Sequence, residues 1–120
     1  MKGVLILAHG SREKSTEDTM IEIINLLKEE INECLIEFAF LQFNKKNLKT
    51  GLDQLVAQGV DEIKVIPYFL FEGIHIREDI PAEIEQYLAD KKDIRITMGR
   101  PLFVDKRLAM ILAERVREIL

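Results

Sequence analysis

The chain alternates short apolar runs with segments whose apolar residues recur every three or four positions. Val4-Leu5-Ile6-Leu7-Ala8 is apolar without a break, the pattern of a strand covered on both faces of a parallel sheet. It is expected to be the central strand. Met20, Ile23, Ile24, Leu27 and Ile31 follow at helical spacing. Ser15, Glu17 and Asp18 open that helix, where the hydroxyl can cap a free amide and the carboxylates favour the positive end of the dipole. Leu35 to Leu41, aromatic and branched, reads as a second strand that leaves through Gln42-Phe43-Asn44-Lys45-Lys46. Leu48, Leu52, Leu55 and Val56 mark a second helix, which Gln58-Gly59 ends with a left-handed cap.

Ile63, Val65 and Ile66 make a third strand, and Ile80, Ile84 and Leu88 a short third helix. Ile94, Ile96 and Met98 alternate with Asp93, Arg95 and Thr97, as in a half-exposed strand toward a sheet edge. After the loop Gly99-Arg100-Pro101-Leu102-Phe103, residues Leu108, Ile111, Leu112, Val116 and Ile119 line a last amphipathic helix. Four strands alternating with four helices imply a flavodoxin-like, open, parallel four-stranded α/β sheet with helices on both faces, in the order 2-1-3-4. Strands one and three are then neighbours, and their carboxyl ends meet at the topological switch point where such sheets bind ligands.

Composition narrows the picture without changing it. A chain of 120 residues, nearly half hydrophobic, is expected to form one soluble domain over residues 1–120. Seventeen basic against 21 acidic residues leave a net charge of −4, which argues against nucleic acid as a partner. The apolar run at Val4 to Ala8 is too short to span a membrane and no cleavage site follows it, so a cytoplasmic location is expected. Cys34 stands alone, without a cationic neighbour to activate it, and reads as a packing residue.

The candidate chemistry lies in the only two histidines. His9 follows the first strand in Leu7-Ala8-His9-Gly10-Ser11-Arg12, and His75 follows the third in Gly73-Ile74-His75-Ile76-Arg77. One histidine alone is often only a hydrogen-bonded residue; two on equivalent strand-to-helix loops, each beside glycine, are a functional signal. Neutral imidazoles suit cobalt, nickel, iron and zinc, and two protein ligands leave a site that can release its ion. An imidazole also accepts a proton near neutral pH, although one lone pair cannot do both at once. A metal-inserting enzyme and a non-catalytic carrier both fit, and turnover separates them. Phosphohistidine chemistry is disfavoured because Ala8, not arginine, precedes His9, and no Walker run occurs.

Ala8-His9-Gly10-Ser11-Arg12, Pro67-Tyr68-Phe69-Leu70-Phe71, Gly73-Ile74-His75 and Arg77-Glu78-Asp79-Ile80-Pro81 resemble, in that order, the motifs of the class II tetrapyrrole chelatases, specifically the short form of sirohydrochlorin chelatase. The resemblance spans the whole chain. It implies insertion of a divalent metal, cobalt, nickel or ferrous iron, into sirohydrochlorin on the way to cobalamin, sirohaem or a nickel tetrapyrrole. The metal is then a substrate, with no cofactor permanently bound. It further implies that His9 is proton acceptor and metal ligand, that His75 is the second ligand, and that Leu70, Phe71, Glu72, Gly73, Ile74 and His75 form a wall against the macrocycle.

One stretch departs from the family. Two carboxylates expected at the exit of strand two are missing from Phe40-Leu41-Gln42-Phe43-Asn44-Lys45-Lys46, and the second falls on Lys45. Its ammonium either pairs with a substrate carboxylate or is simply solvated. Glu72 stands where relatives often have proline, alanine or histidine, and either steers a cation or points to water. Arg12, Lys14, Arg77 and Arg100 flank the same face, while Asp79 reads as part of a charge cluster with Arg77 and Glu78 that caps the third helix. Longer members carry two such domains with a cleft between them, so a homodimer is expected here, with the Leu70 and Leu102-Phe103 loops lining the shared cleft.

Overall fold

Strand β1 (Lys2–Ala8) lies between β2 (Leu35–Phe40) and β3 (Glu62–Pro67), and β4 (Arg95–Met98) forms the edge beyond β3. A computed structural model describes residues 1–120, the side chains of His75 and Ile76 excepted. All three pairings are parallel, giving the expected order β2-β1-β3-β4. Leu5 is paired with Glu37 on one side and Val65 on the other, and Leu7 with Ala39 and Pro67.

Alternation along β1 sends its side chains into two separate layers. Leu5 and Leu7, with Ala39, Ile63 and Val65, are buried against helices α2 (Leu48–Ala57) and α3 (Ile80–Leu88). Ile6, with Ile36, Phe38 and Phe40, is buried against Met20 and Ile24 of α1 (Lys14–Glu30). Helix α2 ends as expected: Gly59 adopts φ 94°, and its N–H donates to the carbonyl of Val56 at 3.0 Å.

Three local expectations are corrected. Helix α1 begins at Lys14, one residue earlier, with Glu13 at the cap position making no side-chain bond. Ser15 therefore lies inside the first turn, and it is Ser11 whose hydroxyl accepts from the Glu13 N–H at 3.1 Å and contacts the Thr16 hydroxyl. Asp79 does not cap α3. A π-helical turn (His75–Asp79) leads into that helix, so Asp79 has helical dihedrals, φ −69° and ψ −46°, where a capping residue needs an extended backbone. The last helix, α4 (Lys106–Ile119), has the predicted periodicity, yet none of its residues is buried. It lengthens the molecule to 55 × 31 × 28 Å, with a radius of gyration of 15.4 Å; about 14 Å is usual for this length. No helix among the described residues is long and apolar enough to cross a membrane.

Helices α2 and α3 are tied across their common groove. The Tyr87 hydroxyl donates to Asp53 Oδ1 at 2.7 Å, and Lys49 Nζ donates to Asp53 Oδ2 at 2.8 Å. The bond from Lys49, then that from Tyr87, holds the Asp53 carboxyl below its usual range, while burial and then Asp53 push the Tyr87 phenol up. Tyr87→Phe is expected to lower stability by about 1 kcal/mol at neutral pH, read from urea unfolding. A lowered folded pKa stabilises above the unfolded value and ceases to do so as pH falls through the folded one. The difference between parent and variant should therefore shrink once pH drops below about 4.

Candidate functional site

His9 is held by the sheet rather than by its own loop. Beyond the end of β1 the ladder continues, with Leu41 N–H donating to Ala8 O at 2.9 Å and Gln42 N–H to His9 O at 3.1 Å. From the other side Tyr68 N–H donates to Leu7 O at 2.7 Å. Gly10 makes the close approach possible: it adopts φ 89°, and a Cβ there would lie 2.2 Å from the Gln42 carbonyl oxygen. The His9 ring stacks on Phe69, with centroids 4.1 Å apart and planes 21° from parallel. Phe69 is itself buried in the α2 and α3 layer, so the plane of the imidazole is set by the core.

His9 opens into a cavity of 410 Å³ whose other walls are Leu41, Gln42, Asp79, Ile80, Ala82 and Glu83. Strand exits supply one side and the start of α3 the other. Asp79 and Glu83 are four residues apart, one helical turn, which brings both carboxylates to one side. Asp79 comes from the turn that leads into α3, and Glu83 from α3 itself. The cavity adjoins a groove of 640 Å³ between α2 and α3, which shares Leu41 and Glu83 with it. No group of three or more histidine, cysteine, aspartate or glutamate side chains among the described residues is arranged to hold a metal ion.

The other expected site residues lie elsewhere. Lys45 is exposed and lines a separate hollow of 540 Å³ with Glu17, Phe43, Asn44, Lys46 and Thr50. Its neighbour Lys46 is occupied, pairing with Glu37 at 2.9 Å and lying 3.9 Å over the Phe38 ring. Arg12 sits 4.7 Å over the ring of Phe43, which adopts φ 61°. Leu70, Phe71, Glu72, Gly73 and Ile74 are all exposed, Phe71 at 80%, and none lines the His9 cavity. The roles expected of the His75 side chain lie outside the described residues. Sequence reading missed Phe69, Leu41, Gln42 and Glu83 as site residues and assigned Asp79 a capping role. The four-residue spacing of Asp79 and Glu83, directly after the His75 motif, was the available signal.

The chain is similar to known proteins over nearly its whole length. The sequence profile of the CbiX family matches residues 3–119. A sirohydrochlorin cobaltochelatase of Sulfurisphaera tokodaii is 38% identical over 120 residues, covering 100% of this chain and 95% of that protein. A sirohydrochlorin ferrochelatase of Priestia megaterium is 30% identical, covering 98% of this chain and 44% of that protein. The crystal structure of the sirohydrochlorin chelatase SirB from Bacillus subtilis subspecies spizizenii, in complex with cobalt, superposes with a TM-score of 0.90 at 28% identity. The superposition covers 98% of this chain and 50% of SirB.

Because a side chain at position 10 meets backbone rather than a movable group, Gly10→Ala should destabilise the chain by at least about 2 kcal/mol. Chemical unfolding measures it. Parent-like stability would show that the two strand exits are not locked together as described.

Proposed function

This chain belongs to the CbiX family, the short-form class II chelatases, and on that premise we propose that the His9 cavity is where its reaction takes place. The protein is an enzyme, a sirohydrochlorin chelatase that inserts a divalent metal ion into the macrocycle. Cobalt and iron are the metals named for its relatives, and nickel belongs to the same borderline class. The metal arrives as a substrate and leaves in the product.

Insertion exchanges two pyrrole N–H protons for one divalent cation, so charge balances only if a base takes the protons away. In our reading His9, the first metal ligand once its lone pair is free, takes the two pyrrole protons in turn and passes each to solvent before the next is removed. Asp79 and Glu83 draw the cation toward the ring centre and repel the acid arms of the macrocycle, orienting it. His75 is the proposed second metal ligand, and Leu70, Phe71, Glu72, Gly73 and Ile74 the wall along which the macrocycle lies. Lys45 pairs with one acid arm. The observation that carries this reading is a single one: His9 is clamped at the switch point, stacked on Phe69, and shares one cavity with two carboxylates.

The ferrochelatase and SirB are about twice as long as this chain. A chain of half their length can recover the missing half by pairing with itself, so we place the working enzyme as a homodimer of one domain per chain, acting in the cytoplasm.

Anaerobic metallation of sirohydrochlorin with cobalt, nickel and ferrous ions, followed by absorption, tests the function directly. A chain that binds metal and macrocycle without turnover would be a carrier. His9→Ala should lose turnover by about 10²-fold or more even at saturating metal, whereas His75→Ala should mainly raise the metal concentration required. Parent rates in both would remove the assigned roles. Lys45→Ala should weaken sirohydrochlorin binding at low salt, and the loss should fade as salt screens the pair. An unchanged constant would assign Lys45 to solvent.

A further inference from the structure

The loops that leave β1 and β2 are held more firmly than exposed turns require. Phe40 N–H donates to Lys46 O at 2.8 Å, which closes the β2 exit, and Lys46 N–H donates to Asn44 Oδ1 at 2.8 Å inside it. Asn44 Nδ2 donates in turn to Glu17 Oε2 at 3.2 Å. In the turn after His9, the Ser11 hydroxyl accepts from the Glu13 N–H and contacts the Thr16 hydroxyl. Both loops are thereby anchored on α1.

Arg12 and Phe43 face each other across these loops. Phe43 adopts φ 61°, which a bulky side chain rarely does, and its ring stays 52% exposed. Packing does not explain the conformation: an unfavourable backbone that buries so little is the kind of departure that marks a functional position. What the ring holds is Arg12, whose guanidinium lies 4.7 Å over its centroid. Stacking uses the face of the guanidinium and leaves the N–H fork at its edge, the part that takes a carboxylate in two parallel bonds. Among the described residues no carboxylate pairs with that fork, whereas Arg95, Arg107 and Arg115 are each paired with one.

The pair stands beside the His9 cavity. Arg12 follows His9 by three residues, a length of chain that cannot carry its Cα more than about 11 Å away. Gln42, directly before Phe43, lines the cavity and donates its N–H to His9 O at 3.1 Å. A macrocycle with its nitrogens at His9 has its acid arms at its perimeter, on the same scale of distance. The Asp79 and Glu83 wall repels those arms, and the edge of Arg12 attracts them.

We propose that Arg12, stacked on Phe43, is a substrate-binding residue whose N–H fork takes one carboxylate arm of the macrocycle in a bidentate contact. This rests on the metal-insertion reading given above and adds a residue to it. Phe43 is the positioning residue: it holds the guanidinium in one orientation before the substrate arrives, so less side-chain freedom is lost on binding. Lys46 is already engaged by Glu37 and the Phe38 ring, and Lys45, in the hollow that Phe43 also lines, offers a point charge without a fork. The bidentate contact selects a planar acid by geometry as well as by charge.

Fluorescence titration with metal-free sirohydrochlorin, and anaerobic cobalt insertion with the macrocycle varied, test this on the full chain. Arg12→Gln should raise both the dissociation constant and KM by about 10-fold while kcat stays within about twofold of the parent. Arg12→Lys keeps the charge but not the fork, and should recover only part of that loss. Phe43→Asn retains a residue that tolerates positive φ, so its urea midpoint should stay near the parent's while the dissociation constant rises about threefold. Unchanged constants in Arg12→Gln, full recovery by Arg12→Lys, or a loss confined to kcat would each overturn the bidentate contact, and parent constants in Phe43→Asn would remove the positioning role. In all of these the parent still inserts metal, and the reading of the His9 cavity stands. A parent that neither binds nor metallates sirohydrochlorin overturns both.

Discussion

The confinement of β1 on both sides is the constraint on which the rest depends. It pairs with β2 and β3, and its side chains press alternately into two helix layers, Leu5 and Leu7 into one and Ile6 into the other. A slip of one residue would turn each of these side chains toward the wrong layer, so the register has no near alternative. That certainty extends past the strand, because Ala8 and His9 go on bonding to the β2 exit. The imidazole inherits the rigidity of the sheet.

Rigid placement matters to the proposed reaction, in which proton transfer and metal delivery both occur within ångströms of the macrocycle centre. The cavity draws on separate pieces of chain for this: His9 from β1, Leu41 and Gln42 from the β2 exit, and Asp79, Ile80, Ala82 and Glu83 from α3 and the turn before it. Carrying Glu83 on α3, with Asp79 in the turn just before it, ties the carboxylates to the core, since Ile80, Ile84 and Tyr87 of that helix are buried and Tyr87 is bonded to Asp53 of α2. The β2 exit is left with the amide of Gln42 and, farther out, the ammonium of Lys45. Asp79 and Glu83 thus place negative charge on the α3 side of the cavity, while Lys45 shares its separate hollow with Glu17 and Lys46.

The opposite end of the chain shows what happens where the sheet imposes nothing. Beyond β4 no further strand follows, and the half-face beside α1 carries Glu62, Lys64, Arg95 and Thr97 rather than an apolar stripe. An amphipathic helix gains little by covering those residues alone. Its stripe therefore stays exposed.

Strand and helix identity, the order 2-1-3-4 and the placing of His9 at the switch point were legible in the sequence, because apolar periodicity and strand-to-helix alternation are local properties that survive without knowing what touches what. The histidine motifs also carried the family. That α1 starts at Lys14, leaving Ser15 inside its first turn, and that Asp79 faces the cavity rather than capping α3, turned on backbone dihedrals that a residue string does not record. Lys45 sits five residues beyond Phe40, close enough in sequence to suggest the cavity, but the loop carries it to a neighbouring hollow. The stacking of Phe69 beneath His9, the clearance at Gly10 and the unsupported face of α4 belong to the tertiary structure alone. Each depends on how close two distant segments come, and that distance is set by the packing of the whole sheet rather than by any stretch of it.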